Sequence, residues 1–174
     1  MYLRIRRLSS LALLLLPFSV LAQADSATEM TFEGGVLNTV HEINLHLIAA
    51  GRLATARGSS VAIQQFGAEL VADHGLADEQ VVALAARTNV ILPSTAAPQG
   101  DSLQQLSILT GEAFDRAFLK MMVEDNDKAI AMVQAAQPRV SSAPLTAFLR
   151  KLLPTLQKHR DTAMALSKAL RAER

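Results

Sequence analysis

Four histidines (His41, His46, His74 and His159), a few carboxylates and two well-placed asparagines are the residues of this chain whose types could do chemistry. Imidazole is a common neutral metal ligand and titrates nearest to physiological pH. His74 and His159 lie on apolar stripes: Phe66–Leu70–His74–Ala77–Val81 and Leu149–Leu152–Leu156–His159–Ala163–Leu166. Asn44 and Asn126 occupy the same kind of place in Val40–Asn44–Leu47–Gly51–Ala54 and Leu119–Met122–Asn126–Ala129–Val133. Asp73 and Asp125 each precede a stripe residue by one position, which turns them by about 100° to the flank of the stripe. From there a carboxylate can orient an imidazole or share a cation with it. The set His74, His159, Asp73 and Asp125 is therefore the candidate metal site, with a divalent ion as its cofactor; the bland alternative is a hydrogen-bonded core layer with no cofactor.

A second group, His41, Glu42 and His46, stands on the first stripe-bearing segment. Glu42 and His46 are four apart, a spacing that suits one shared ion or an ordinary pair on a solvated helix face. His41 is three residues from Asn44 and within reach of the polar layer, while Asp78, one turn after His74, is expected to face water. A di-iron centre in a helical bundle would need two Glu-x-x-His motifs. The residues three before His74 and His159 are Val71 and Leu156, so that pattern is absent. No Ser is placed for a nucleophilic triad and the chain has no Cys, so no catalytic residue is assigned.

The elements that must position these residues follow from the stripes. Spacings alternating between three and four mark helices with one face turned to partner helices. The expected architecture is all-α, an antiparallel up-down four-helix bundle in which the four polar stripe residues share one height. The first helix is expected to start near Phe32 to Gly35, after a polar stretch from Asp25 to Thr31, and to end at Arg57, with Gly58 as a left-handed C′ residue. Ser59 or Ser60 caps the second helix, which reaches Asn89. Leu92 to Gly100, rich in Pro, Ser and Ala, reads as a linker able to cross the end of the bundle, followed by a short helix over 101–109 capped by Asp101. Thr110 caps a third long helix ending near Gln137, and Ser142 a fourth, with Pro144 in its first turn. Pro154 inside that last helix removes a hydrogen bond and should kink it ahead of His159. Leu70–Val71–Ala72–Asp73–His74 is echoed by Met122–Val123–Glu124–Asp125–Asn126.

The N-terminus has the form of an export signal. Arg4, Arg6 and Arg7 make a basic head, Leu11 to Leu16 begin an apolar stretch that continues to Leu21, and Ala22–Gln23–Ala24 offers a small-residue cleavage site. Residues 1–24 are thus expected to be removed, leaving 25–174 as a single domain in the periplasm or cell envelope. Losing the three Arg leaves 14 basic against 16 acidic residues. That balance, with no basic stripe and few aromatic platforms, argues against nucleic acid as a partner. Later apolar runs are broken by charges, so no transmembrane segment is expected. Leu45, Ile48 and Leu53 spread around the first helix, the signature expected of a membrane-surface or self-association role; a protein partner is the other partner expected of the bundle.

The chain resembles the DUF4142 family, exported bacterial proteins with a ferritin-like helical bundle. The resemblance is carried by His41-x-x-Asn44, Gly51–Arg52–Leu53–Ala54, Phe66 through His74, Leu109–Thr110–Gly111–Glu112–Ala113–Phe114–Asp115, Met122 through Asn126, and Leu153–Pro154 followed by His159. It implies the fold and leaves the molecular role open. The family commonly has Glu where Leu47 stands and Asp-His where Asp125–Asn126 stand, so a metal site built on the family's layer would here lack one carboxylate and one imidazole. Two functional classes remain on these grounds: a non-enzymatic structural or interaction bundle, and a metal-binding bundle for storage, sensing or stress protection.

Overall fold

The computed structural model describes the backbone of residues 19–93 and 101–172, and the side chains of 31–93 and 102–172. The protein is all-helical there, with no strand among the described residues: α1 Ser19–Arg57, α2 Val61–Thr88, α3 Asp101–Ser107, α4 Gly111–Ala136, a 3-10 turn Gln137–Arg139, and α5 Ala143–Ala172. No helix among the described residues is long and apolar enough to cross a membrane.

The four apolar stripes are the core. Val40, Asn44, Leu47 and Ala54 of α1, Phe66, Leu70, His74 and Val81 of α2, Leu119, Met122, Asn126 and Val133 of α4, and Leu149, Leu156, His159 and Ala163 of α5 are all buried. Only Leu166, near the free end of α5, is half-buried. Beside the polar layer, Phe66 meets Phe118 with ring centroids 5.7 Å apart, and Phe114 stacks on Phe118 at 5.9 Å. Burying one such ring stabilises the fold by about 2–3 kcal/mol. In the absence of cysteine, this packing holds the protein together.

Neighbouring helices run antiparallel. His41 meets Asp78 and Asn44 meets His74 across α1 and α2. Ser59 meets Asp115, His46 meets Asp125, and Arg139 lies over the Phe32 ring across the boundary between the first and third long helices. Asp73 meets His159 across α2 and α5, and further along α2 Leu84 and Arg87 line a cleft with Pro144 and Ala147 near the start of α5. Since α4 and α2 are both antiparallel to α1, they run in the same direction as each other. Strict alternation along the chain therefore fails between α2 and α4. The end of α2 at Thr88 and the start of α4 at Gly111 therefore lie at opposite ends of these helices, a separation of roughly 39 Å for the 26 residues of α4. Leu103 and Leu106 of α3, in the connection between them, are buried.

Local expectations fare unevenly. The first helix extends back to Ser19, well before Phe32, because the segment from Ser19 to Phe32 contains neither Pro nor Gly to break it. Residues 1–18 of the expected export signal lie outside the described residues. Gly58 is not left-handed; positive φ occurs at Asn89 (55°) and Gly111 (57°) among the described residues. Gly58 is required for space instead: a Cβ there would lie 2.7 Å from Ala54 O and from Ile63 Cγ2, in the three-residue turn between α1 and α2. Asn89 ends α2 in the left-handed conformation that asparagine tolerates, its N–H donating to Ala85 O. Ser60 accepts from Ile63 N as expected, whereas Thr110 makes no side-chain cap bond. The start of α5 is satisfied from another helix: Glu33 Oε1 accepts from the backbone N–H groups of Ser141 and Ser142, both at 2.8 Å. A carboxylate at the start of a helix also complements the helix dipole. Helix α5 continues unbroken through Pro154.

Candidate functional site

The polar layer sits where the four stripes cross. A tight approach between Gly51 of α1 and Gly67 of α2 fixes how these two helices meet beside it. A Cβ on either residue would lie 2.6 Å from the other's carbonyl oxygen. That contact brings Asn44, just under two turns along α1 from Gly51, against His74 of α2.

The side chains form a chain of contacts through the core. Asn44 Oδ1 is 2.9 Å from His74 Nδ1, and His74 Nε2 is 3.2 Å from His159 Nδ1. His159 Nε2 stands 3.0 Å from Asp73 Oδ2 at the edge of the core. The two imidazole rings are 5.1 Å apart, and Phe66 presents an edge contact to His159 at 6.2 Å. Both histidine residues are fully buried, while the Asp73 side chain is 35% exposed. The run thus leads from the dry centre to the α2–α5 surface.

Burial controls the electrostatics. Desolvation pushes the His74 imidazole down from 6.5 to about 3, aided by the neighbouring His159 and opposed by Asp73. Burial also lowers His159 from its ordinary value, outweighing the hydrogen bond and charge of Asp73. Both rings are therefore neutral at physiological pH, the form in which imidazole accepts a hydrogen bond or binds a cation.

Of the four residues read from the sequence, His74, His159 and Asp73 come together, and Asp125 does not. Asp125 lies across α1 and α4, where its Oδ2 is 2.9 Å from His46 Nε2 and its Oδ1 3.3 Å from Lys128 Nζ. Burial raises its carboxyl, but His46 and Lys128 outweigh that and hold it below the ordinary range. His46 turns to that carboxylate across the helix interface. His41 does not join the layer: its Nδ1 is 2.7 Å from Asp78 Oδ1, and its Nε2–H donates to Pro93 O at 3.1 Å. Asp78, expected in water, is thus a buried histidine's partner, because the two positions coincide where α1 and α2 cross.

Asn126 is in the layer but bonds neither imidazole. Its Nδ2 donates to Met122 O at 2.7 Å within its own helix. Asn126 Oδ1 and Asn44 Nδ2 are buried with no hydrogen-bond partner among the described residues.

The sequence reading missed Glu69 and Asp115. Glu69 is one turn before Asp73 on α2, and its carboxylate joins Asp73 and His159 so that one ligand atom from each lies within 4.8 Å of the others. The i, i+4 spacing of Glu69 and Asp73 was the available signal. Lys158 Nζ makes a close ion pair with Glu69 Oε1. Asp115 is fully buried and ties the α1–α2 turn to α4, accepting from Ser59 N at 3.0 Å and from the Ser59 hydroxyl. No periodicity marks such a turn contact in advance.

Fold and site together define a class: an all-helical domain whose long helices enclose a hydrogen-bonded layer of histidine and asparagine. The chain belongs to the DUF4142 family, a domain of unknown function, whose family model matches residues 19–166. No curated protein matches this sequence. Among solved structures it is similar to the crystal structure of a DUF305 fragment from Deinococcus radiodurans, with a TM-score of 0.70 at 15% identity. That likeness covers 79% of this chain and 96% of the fragment, and it is a likeness of fold alone.

Proposed function

We propose that this is an exported protein of the periplasm or cell envelope whose region 25–174 is a ferritin-like four-helix bundle with one long crossover, acting as a non-enzymatic structural or interaction domain. The burial of the layer supports this reading. His74 and His159 are fully enclosed and direct their nitrogens at other protein atoms, so a substrate larger than an ion could reach them only by parting the helices. In this reading the layer fixes which helix faces meet and at what height, the best-attested use of buried polar groups.

The test is complementation of a deletion strain. A chain carrying Asn44→Leu, His74→Leu and His159→Leu keeps the volume of the layer and removes its chemistry. Restoration of the wild-type phenotype by this variant is the expected result. A folded triple variant that fails to restore it overturns the structural reading. N-terminal sequencing of the protein recovered from the envelope fraction checks export, with Gln23 or Asp25 as the expected first residue.

The second reading, a metal-binding bundle for storage, sensing or stress protection, is favoured by one observation: the convergence of Glu69, Asp73 and His159 at the α2–α5 surface.

A further inference from the structure

The outer end of the buried run meets two carboxylates. His159 Nε2 is 3.0 Å from Asp73 Oδ2, and one ligand atom from each of Glu69, Asp73 and His159 lies within 4.8 Å of the others. His159 Nδ1 faces His74 Nε2 at 3.2 Å, and His74 Nδ1 faces Asn44 Oδ1 at 2.9 Å, so the buried imidazole is held from behind with its Nε2 turned to the carboxylates.

We propose that a divalent first-row metal ion binds at Glu69, Asp73 and His159, with His74 and Asn44 as positioning residues that hold the His159 Nε2 lone pair toward the ion. This rests on the second reading above and gives it a ligand set different from the one the sequence suggested. One imidazole and two carboxylates form a borderline-to-hard donor set, suited to zinc or manganese and unsuited to soft cuprous ion. Three protein ligands with water in the remaining position are ordinary for an accessible zinc site. Glu69 and Asp73 are one turn apart on α2 and about one-third exposed, and a surface cleft lined by Asp73, Gln80, Lys151 and Thr155 opens beside them. The ion therefore has a route from solvent, while the imidazole approaches from the dry side. The run His159–His74–Asn44 fixes tautomer and ring orientation as partners behind metal-bound histidines do. Lys158 occupies the Glu69 carboxylate and is the competing cation that the metal displaces.

The experiment is calorimetric titration of the metal-free full chain with Zn2+ alone, and separately with Mn2+, followed by 15N NMR of the histidine rings. The expected result is one ion per chain, weakened at least about 10-fold by Asp73→Asn and by Glu69→Gln and about 10-fold by Asn44→Leu. Lys158→Gln is expected to tighten binding several-fold. Zinc should also shift the His159 Nε2 resonance as a bound nitrogen and leave the proton on Nδ1, a signature a merely structural role for His74 and Asn44 would not produce. Asp73→Asn is isosteric and half-exposed, and circular dichroism confirms that the variant is folded. Binding that survives Asp73→Asn and Glu69→Gln but is lost in Asp125→Asn or His46→Gln overturns this site and leaves the metal-binding reading standing. No binding overturns both. A His159 Nε2 resonance unmoved by zinc also overturns the proposal.

Discussion

Asp73 and Asp125 come from two echoing stretches of sequence, each one residue ahead of a buried stripe residue, and each faces a histidine of a neighbouring helix. Asp73 faces His159 across α2 and α5, at 3.0 Å; Asp125 faces His46 across the other pair of faces, at 2.9 Å. The distances match, but the surroundings differ. His159 has no exposed side-chain surface and is backed by a second imidazole, whereas the His46 side chain is 26% exposed and Lys128 competes for its carboxylate. The same local sequence thus faces a fully buried histidine in one place and joins a part-buried ion pair in the other. What separates them is depth, because the energy of ionising a group depends on how much water it keeps.

Acid should break the comparison most strongly. His74 is pushed down in the folded protein to about 3 from 6.5, so the unfolded chain binds protons more readily between those values. Stability is therefore fully present above about pH 6.5 and is lost as pH falls toward 3, by on the order of 4 kcal/mol for this group. Denaturant melts at pH 7, 5.5 and 4 should show the loss in the wild type and in His46→Gln. The variant pairing His74→Leu with His159→Leu should show a much flatter profile. Equal slopes in all three would mean that the buried pair does not govern acid stability.

A backbone change should sharpen the contrast with a smaller effect. Gly67→Ala places a methyl 2.6 Å from Gly51 O and 2.8 Å from Ala54 Cβ, which forces α1 and α2 apart. The expected cost is about 1–3 kcal/mol in chemical denaturation, with disturbance of the His74 and Asn44 NMR signals. The His46–Asp125 pair lies across another interface, so its signals should move less. The smallest effect is expected at that surface pair. Asp125→Asn should cost less than about 1 kcal/mol and less again in high salt, because exposed ion pairs are weak and screened. A loss of several kcal/mol would show that the two aspartates are equivalent after all.

Much of this was legible in the chain itself. The stripes from Val40, Phe66, Leu119 and Leu149 predicted which residues are buried, since a 3.6-residue period places side chains on one face whatever the partner. His74, His159 and Asp73 could be grouped because stripe position fixes direction, and their neighbours in sequence are the wrong chemistry for anything else nearby. Asp125 was grouped with them on the same logic and wrongly, since two flanks of a layer look alike until the helices are placed around it.

The amino-acid sequence by itself determined the helices, their buried faces and which polar residues lie on those faces, because these depend on periodicity and local capping. Tertiary structure alone decided that α2 and α4 run parallel, that Asp125 faces His46, and that Glu69 joins Asp73 and His159. Those outcomes depend on which faces of different helices meet. That choice is set by long-range packing, such as the Gly51–Gly67 approach and the packing of α3 on α4, which leaves no periodic mark in the chain.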